Sequence, residues 1–289
     1  MDMKFRPIKN LKLGKALKDR VFLAPMEEVN DVAFRLMCKK AGCSLTWTGM
    51  THPRTKQKTY FDDKPICQLF CKTPEGIKEF VKKHNKKVSG WDFNLGCPAT
   101  TARKHGFGSY MISELKTIEE ILKEIRKAAG KKKAVFVKIR KSAYAKKILK
   151  LVEKYCDAII VHPRTQQQGY SGIPEEKFAE KLRDKTKLPV VYSGNVGEKN
   201  YKELLKKFDY VMVGRSAIGN PGIFSDISGK KKSGLDFKDY LKLSKKYKFP
   251  FRLLKFQAMN FTKGKKDAKE KRLEIFEVKT EKRLRKLKL

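Results

Sequence analysis

The chain has 289 residues, 40% of them hydrophobic, and its 69 Lys and Arg residues against 31 Asp and Glu residues give a net charge of +38. This length accommodates one barrel-sized domain with an appendage, and no apolar run approaches the roughly 18 residues that a membrane span needs. We therefore expect a cytoplasmic protein that does not bind a membrane. Thermophilic proteins also carry many charged residues, but they usually balance the two signs. The large excess of positive charge here therefore indicates a polyanionic partner, most simply a nucleic acid.

The cysteine pattern argues against a metal site. Six cysteines are present and none forms a Cys-x-x-Cys pair. Cys67 and Cys71 lie close in sequence, but no histidine follows at zinc-finger spacing. We expect free thiols in a reducing compartment and no bound metal.

Short apolar, β-branched runs alternate with amphipathic stretches rich in Lys and Glu. Strands separated by helical crossovers are typical of an all-parallel α/β fold, and eight of them favour a (β/α)8 TIM barrel. The alternative, an open doubly wound sheet, lacks its Gly-x-Gly-x-x-Gly turn after the first strand. The predicted strands are 20–24, 44–48, 65–70, 90–95, 133–139, 157–161, 188–192 and 209–213, and the predicted helices are 32–41, 74–85, 117–129, 143–154, 174–185 and 199–207.

The pattern changes near the C-terminus. Residues 230–289 contain 22 Lys and Arg residues and 7 Asp and Glu residues. Helices are predicted at 236–246, 251–263 and 266–287, the last with Leu273, Phe276, Leu284 and Leu287 at helical spacing. We therefore predict two domains, a catalytic barrel over 1–228 and a basic helical domain over 229–289 that binds the nucleic acid. The alternative is a solvated helical tail with no role in binding.

Polar residues and glycines follow the predicted strands at their C-terminal ends. In a TIM barrel these ends converge on one mouth, where active sites are built. The sequence therefore predicts a site at this mouth. Its candidate residues are Pro25 and Met26, Thr48, Gln68, Asn94 and Cys97, Lys138 and Arg140, His162 and Arg164, Ser193, Gly194 and Asn195, and Gly214 and Arg215.

Three features suggest chemistry at this mouth. The glycines and Arg215 after strands seven and eight suit a phosphate, although the glycines alone also suit simple turns. Lys138 interrupts an apolar strand and needs a counter-charge or a group that becomes anionic, such as a reduced flavin. Cys97, between Gly96 and Pro98, is either a reactive thiol or a buried turn cysteine.

Taken together, these segments make the chain resemble the tRNA-dihydrouridine synthases, flavin-dependent barrels that reduce a uridine of tRNA. The matching segments run in family order over about residues 20–225. They are 23–26 (Leu-Ala-Pro-Met), 31–35, Gln68, 92–98 (Asp-Phe-Asn-Leu-Gly-Cys-Pro), 106–108, 137–140, 161–165 with Gly169 and Tyr170, 193–195, and 211–215 with Asn220 and Pro221.

The resemblance implies FMN as the cofactor and tRNA as the partner. Hydride would pass from flavin N5 to C6 of the uracil while Cys97 protonates C5, and NADPH, or NADH in its place, would reduce the flavin again. The expected cofactor-binding residues are Ala24, Pro25, Met26, Gln68, Lys138 and His162 around the flavin, with Ser193, Gly194, Asn195, Gly214 and Arg215 at its phosphate end. The expected substrate-binding residues are Asn94, Arg140, Arg164 and Tyr170.

The chain departs from the family pattern at three positions. The family usually has Asn in place of Ser193, Glu in place of Gly49 and Gly in place of Pro163, and the second departure removes an acidic group near the flavin or substrate. Two alternatives remain at this stage, a flavin barrel acting on a free pyrimidine-like molecule and a non-catalytic RNA-binding protein. The charge argues against the first, and Cys97, Lys138 and Gln68 together argue against the second. We expect a monomer.

Overall fold

Eight parallel strands form a nearly closed barrel in the computed structural model, which describes residues 4–229 and 233–289. Their order in the sheet is β1-β8-β7-β6-β5-β4-β3-β2. A bridge between Phe22 and Leu45 joins β1 to the segment before β2, which brings the two edges together. The strands are β1 (Val21–Leu23), β2 (Trp47–Thr51), β3 (Ile66–Leu69), β4 (Gly90–Leu95), β5 (Ala134–Arg140), β6 (Ala158–His162), β7 (Val190–Tyr192) and β8 (Tyr210–Val213). The predicted (β/α)8 fold is confirmed.

The prediction for the second strand was shifted along the chain. It placed the strand at 44–48, whereas β2 begins at Trp47 and pairs with β3. The residues just before it contact β1 instead, since the Leu23 N–H donates to the Leu45 carbonyl at 3.0 Å. The residues around Leu45 therefore pair with β1, and the residues from Trp47 onward pair with β3. Local strand propensity does not show where one pairing ends and the other begins.

Helices follow the strands and cover the outside of the barrel. In α4, Ile118, Ile121, Leu122 and Ile125 recur at helical spacing and are all fully buried against the sheet. The short helices α3 and α8 were not predicted, because each has too few residues to show a periodic pattern. The helices of the barrel are α1 (Val32–Lys40), α2 (Ile77–His84), α3 (Thr100–His105), α4 (Leu115–Ala129), α5 (Ala145–Tyr155), α6 (Glu176–Asp184), α7 (Tyr201–Lys207) and α8 (Ile223–Ser228).

Aromatic side chains fill the lower part of the barrel interior. Phe22 stacks on Tyr210 with ring centroids 5.0 Å apart, and Trp47 meets Phe136 edge to face at 5.3 Å. Ile8, from the N-terminal segment, packs against the same interior cluster. A ligand must therefore enter from the opposite end, where the strands carry their polar residues.

After the barrel, the described residues 233–289 form four α-helices: α9 (Phe237–Ser244), α10 (Phe251–Phe261), α11 (Ala268–Glu277) and α12 (Glu281–Leu284). The prediction of one helix over 266–287 was wrong. The chain is extended at the buried Val278, and the Thr280 hydroxyl caps a new helix by accepting the Arg283 N–H. None of the helices in the described part of the chain has the length and apolar character that a membrane crossing requires.

A half-buried carboxylate joins these helices to the barrel. Asp31 caps α1 through the Phe34 N–H at 3.0 Å, and its Oδ2 accepts Gln257 Nε2 of α10 at 2.6 Å and the Tyr240 hydroxyl of α9 at 3.1 Å. Gln257 Nε2 also donates to the Val29 carbonyl at 2.8 Å. Burial raises the pKa of Asp31 to about 6, so the folded protein holds this proton more tightly than the unfolded chain does.

Asp31→Ala is expected to destabilise the protein most at acidic pH. Because the pKa is raised on folding, the contribution of Asp31 to stability is fully present below its unfolded pKa and declines as the pH rises through about 6. At pH 5 we expect a loss of about 2–4 kcal/mol in unfolding free energy, from the lost cap and the donors left without an acceptor. At pH 8 the loss should be smaller. Urea unfolding at pH 5 and at pH 8 measures the loss of unfolding free energy.

Asp236→Ala is the matched control, because Asp236 caps α9 through the N–H groups of Lys238 and Asp239. It removes a cap without removing a contact between α1 and the C-terminal helices. We expect a loss of about 1 kcal/mol at both pH values. Equal losses for the two variants at pH 5 would contradict a joining role for Asp31.

Candidate active site

The parallel register brings the polar ends of β4, β5 and β6 to one level. Asn94 is paired with Lys138, and Arg140 is paired with His162. Alternate residues of each strand face the same side, so these side chains lie above the apolar interior. The structure thus brings together, at one mouth, candidates that are far apart in sequence.

Asn94 connects the barrel interior to the loop that carries Cys97. Its Oδ1 accepts the backbone N–H groups of Gly96 at 3.0 Å and Cys97 at 2.9 Å. Its Nδ2 donates to Gln68 Oε1 of β3 at 2.8 Å. An amide oxygen that accepts two backbone donors fixes the turn after β4, and with it the position of the thiol.

Further contacts hold the loop on both sides of Cys97. The Cys97 carbonyl accepts hydrogen bonds from the Ser109 N–H at 3.1 Å and from the Ser109 hydroxyl at 2.8 Å. The Gly96 carbonyl accepts a hydrogen bond from Arg140 Nε at 2.6 Å. Gly108 has φ +64°, and a Cβ there would lie 2.9 Å from the Cys97 oxygen, so only glycine fits. The structure therefore favours a positioned thiol over a simple turn cysteine.

The environment of Cys97 keeps its thiol protonated. Burial raises the pKa of Cys97, Glu27 acts in the same direction, and Arg140 and Lys138 oppose it only in part. Cys97 is partly exposed, whereas the other five cysteines are buried. An accessible thiol that holds its proton suits a proton donor, while a nucleophile or a metal ligand needs the thiolate.

Four cations at the mouth lack an acidic partner. None of them forms an ion pair with a carboxylate of the described residues. Burial and the neighbouring Arg140 lower the pKa of Lys138 to about 8. The uncompensated charge suits an anionic ligand. The cations are Lys138, Arg140, Arg164 and Arg215.

His162 is neutral in this field. Burial, followed by the charges of the four cations, lowers the pKa of His162 to about 2. Arg164 Nη1 lies 3.1 Å from His162 Nε2. A guanidinium only donates, so Nε2 accepts and the proton of the imidazole is on Nδ1. His162 therefore offers one N–H donor and no charge.

Two arginines converge on Asn195. Arg164 Nη2 and Arg215 Nη2 donate to its Oδ1 at 3.1 and 2.7 Å, and Asn195 itself has φ +50°. Arg164 is only 1% exposed, and its Nε donates to the Ser171 carbonyl at 2.9 Å. These contacts indicate that Arg164 supports the loop after β7. The resemblance instead implies a direct contact between Arg164 and the substrate.

Tyr170 lies at the rim between two guanidinium groups. Its ring centroid is 5.2 Å from Arg140 Cζ and 5.7 Å from Arg215 Cζ, and its side chain is 59% exposed. Its carbonyl accepts Arg215 Nη1 at 3.0 Å. Tyr170 therefore links the loops after β6 and β8 and presents an aromatic edge to solvent.

Glu27 occupies the space beside Gly49. Its Oε2 accepts the Met50 N–H at 2.8 Å, and a Cβ at Gly49 would lie 3.1 Å from the same oxygen. An acidic group from the loop after β1 thus lies beside position 49. Sequence reasoning missed this contact. Its signal was the Glu27-Glu28 pair that follows Met26.

The remaining candidates border the same opening. The Ala24 N–H donates to the Val213 carbonyl at 2.9 Å, and a Cβ at Gly214 would lie 3.6 Å from the Ala24 Cβ. Pro25 and Met26 follow Ala24 and are half-buried. Ser193 is buried, with its N–H bonded to the Val161 carbonyl at 2.9 Å, and Gly194 lies against Pro174. Pro163 is buried, and its carbonyl accepts the Glu175 N–H at 2.9 Å.

The described residues contain no cluster of three or more His, Cys, Asp or Glu side chains that is placed to hold a metal ion. Two acidic residues that were not among the predicted site residues lie close to them. They are Glu27 and Asp92, of which the second is fully buried below Asn94.

Two solved structures share the fold at low identity. A TcOYE with pHBA aligns with a TM-score of 0.53 and 11% identity, covering 76% of this chain and 91% of its own. A variant of NCR from Zymomonas mobilis aligns with a TM-score of 0.54 and 11% identity, covering 83% of this chain and 94% of its own. These similarities support the barrel architecture alone.

Sequence comparisons are more specific. A probable tRNA-dihydrouridine synthase of Helicobacter pylori J99 is 33% identical over 233 residues, which are 73% of this chain and 70% of that protein. A probable tRNA-dihydrouridine synthase of Aquifex aeolicus is 29% identical over 236 residues, 74% of each chain. A tRNA-dihydrouridine(16/17) synthase of Saccharomyces cerevisiae is 27% identical over 243 residues, 73% of this chain and 57% of that one. The family model described as dihydrouridine synthase (Dus) matches residues 22–286, so the chain belongs to the dihydrouridine synthase family.

Proposed function

We propose that this protein reduces the C5=C6 bond of a uridine in tRNA, with FMN at the barrel mouth and NADPH as the electron donor. One observation carries the proposal: the accessible thiol of Cys97 is held at the same mouth as four cations that have no acidic partner in the described part of the chain. The names of the relatives support tRNA as the substrate, and the name of the yeast relative includes NAD(P)(+).

The residues at the mouth fit an FMN. The cations and the N–H of the neutral His162 suit the anionic edge and the phosphate of such a cofactor, and the loops after β7 and β8 lie where barrels commonly bind phosphate. When bound, FMN supplies the hydride that the uracil receives at C6. Gln68, Lys138 and His162 would hold the flavin, while Gly194, Asn195, Gly214 and Arg215 would hold its phosphate end.

The chain itself supplies the proton and the orientation of the base. The Cys97 thiol would protonate C5, because its raised pKa keeps the proton available at neutral pH. Asn94 and Arg140 would hold the uracil, with Tyr170 at the rim. Reduction of a base inside folded tRNA requires that the base leave its stack and enter this pocket. A protein with a net charge of +38 offsets part of that cost by binding the surrounding phosphates.

The basic helices after the barrel are the proposed tRNA-binding domain, residues 229–289. On α11, Leu273 and Phe276 are 62% and 65% exposed, and they line a cavity of about 590 Å³ together with Lys266, Lys269 and Arg272. Exposed aromatic and cationic side chains on one surface suit RNA bases and phosphates. The free cysteines support a reducing cytoplasm, and we propose a monomer.

The purified protein should be yellow or become so with FMN. Flavin absorbance near 450 nm should be bleached by NADPH under anaerobic conditions and restored by unmodified tRNA. Free uridine should restore it far more slowly, because it lacks the phosphates that the basic surface binds. Protein that does not bind FMN would refute the enzyme proposal, and equal rates with uridine and tRNA would favour the small-molecule alternative.

Cys97→Ala should retain FMN and its reduction by NADPH. Oxidation of the reduced flavin by tRNA should fall by about 10²–10⁴-fold, the usual contribution of a general acid. Cys156→Ala is the matched control, since Cys156 lies between α5 and the start of β6, at the other end of the barrel. Stopped-flow traces of the two half-reactions measure both variants. Normal oxidation by tRNA in Cys97→Ala would exclude Cys97 as the acid.

Lys266→Glu with Lys269→Glu should weaken tRNA binding and reduce its salt dependence. Each lost phosphate contact should lower the slope of log K against log salt by roughly one. Oxidation of NADPH by the bound flavin should be unchanged. Lys146→Glu with Lys150→Glu, on the exposed face of α5, is the matched control. Equal weakening by both pairs would indicate a general charge effect rather than a binding surface on α11.

A further inference from the structure

Asp92 is a carboxylate inside the barrel that the proposed chemistry does not use. It is 0% exposed in β4, two residues before Asn94. Its Oδ2 accepts Trp47 Nε1 at 3.0 Å and Gln68 Nε2 at 2.7 Å, while its Oδ1 has no partner among the described residues. A buried acid without a cationic partner in hydrogen-bond contact is costly, so its presence needs a reason.

The donors and acceptors around Asp92 determine the orientation of two amides. Oδ2 of Asp92 accepts, so Gln68 must present Nε2 to it and Oε1 to the other side. That Oε1 accepts Asn94 Nδ2 at 2.8 Å, which leaves Asn94 Oδ1 for the N–H of Cys97 at 2.9 Å. The same orientation is required from the other end, because backbone N–H groups only donate. Every donor between Asp92 and Cys97 therefore meets an acceptor, through Gln68 and Asn94.

This relay needs an acceptor at Asp92 rather than a charge. Both donors contact Oδ2, and a proton on the unpartnered Oδ1 would leave both hydrogen bonds in place. Burial raises the pKa of Asp92 to about 7, so both protonation states occur near neutral pH. The nearby charge of Lys138 acts in the opposite direction, and Asp92 has no ion pair with it within the part of the chain that the structure describes.

We propose that Asp92 is a positioning residue for Cys97, acting through the amides of Gln68 and Asn94. Its acceptor oxygen holds Gln68, Gln68 holds Asn94, and Asn94 holds the peptide N–H of Cys97. The relay also leaves each amide one further N–H, which suits the carbonyl oxygens of a pyrimidine or a flavin. This inference rests on the proposed function, because it assigns to Cys97 the role of proton donor.

Two substitutions separate the acceptor from the charge. Asp92→Asn retains an amide oxygen for Trp47 and Gln68, so oxidation of the reduced flavin by tRNA should remain within about threefold of the unsubstituted protein. Asp92→Ala removes the acceptor and frees Gln68 to rotate, and the same step should slow by about 10–100-fold, as expected for a misplaced catalytic group. Flavin reduction by NADPH, measured at saturating FMN, should fall less in Asp92→Ala than oxidation by tRNA does, because Gln68 is one of several residues that would hold the flavin. A loss in Asp92→Asn equal to that in Asp92→Ala would overturn the relay.

A double-mutant cycle tests whether Asp92 acts through Cys97. In protein that carries Cys97→Ala, the further change Asp92→Ala should slow oxidation by saturating tRNA much less than it does when Cys97 is present, because the group that it positions is already absent. Losses that multiply would show that Asp92 acts on the reaction by another route and would refute the proposal.

Alkylation of Cys97 supplies a readout without turnover. Cys97 is the partly exposed cysteine, so limited iodoacetamide treatment of the folded protein, mapped by mass spectrometry, reports on it. The pH midpoint of alkylation should shift in Asp92→Ala and be retained in Asp92→Asn. Asp157→Ala is the control, because Asp157 pairs with Arg126 just before β6, away from the mouth. An unchanged midpoint in Asp92→Ala, or an equal shift in Asp157→Ala, would overturn the proposal.

If Asp92→Ala does not fold, Asp92→Ser replaces it, since the shorter serine hydroxyl does not reach Gln68. The same shift in midpoint and the same slow oxidation are expected, and their absence would refute the relay. Failure of the proposed function is a separate result. Protein with Asp92 intact that does not turn over tRNA would refute that function, whereas the alkylation difference between the Asn and Ala variants tests Asp92 alone.

Discussion

The parallel register of β4, β5 and β6 is the constraint on which the rest of the structure depends. It sets Asn94 beside Lys138 and Arg140 beside His162, all above an interior filled by aromatic rings. Because buried apolar and aromatic side chains fill the level below, the polar side chains bond to one another or face the mouth. One end of the barrel is thus filled by apolar side chains that stabilise the fold, and the other end carries the hydrogen-bonding groups of the candidate site.

The mouth holds an arrangement that is unfavourable for the protein alone. Four cations without acidic partners among residues 4–229 and 233–289 repel one another, and burial together with this field lowers the pKa of Lys138 and of His162. Such an arrangement is retained where an anionic ligand compensates it. The protein thus keeps a preformed positive field at the mouth, and the neutral imidazole of His162 adds a donor without adding further repulsion.

The C-terminal helices add a second basic surface and are attached at a specific point. Asp31 caps α1 and accepts hydrogen bonds from α9 and α10, so the first helix of the barrel and the helices that follow the barrel share one half-buried carboxylate. A contact of this kind limits how far the two parts can rotate. α11 packs against α10, so the position of α11 relative to the barrel depends on the same contact.

The sequence by itself determined the eight strands, most of the helices and the mouth with Cys97, because alternation, helical periodicity and turn residues are local signals. Tertiary structure decided the rest. Trp47 and Gln68 meet Asp92 across separations of 45 and 24 residues, Glu27 fills the space that Gly49 leaves, and Arg164 is buried beneath its loop. The break in the last helix near residue 279 likewise follows from the burial of Val278. Donor–acceptor matching and shape depend on which segments meet in space, and a linear pattern does not encode that.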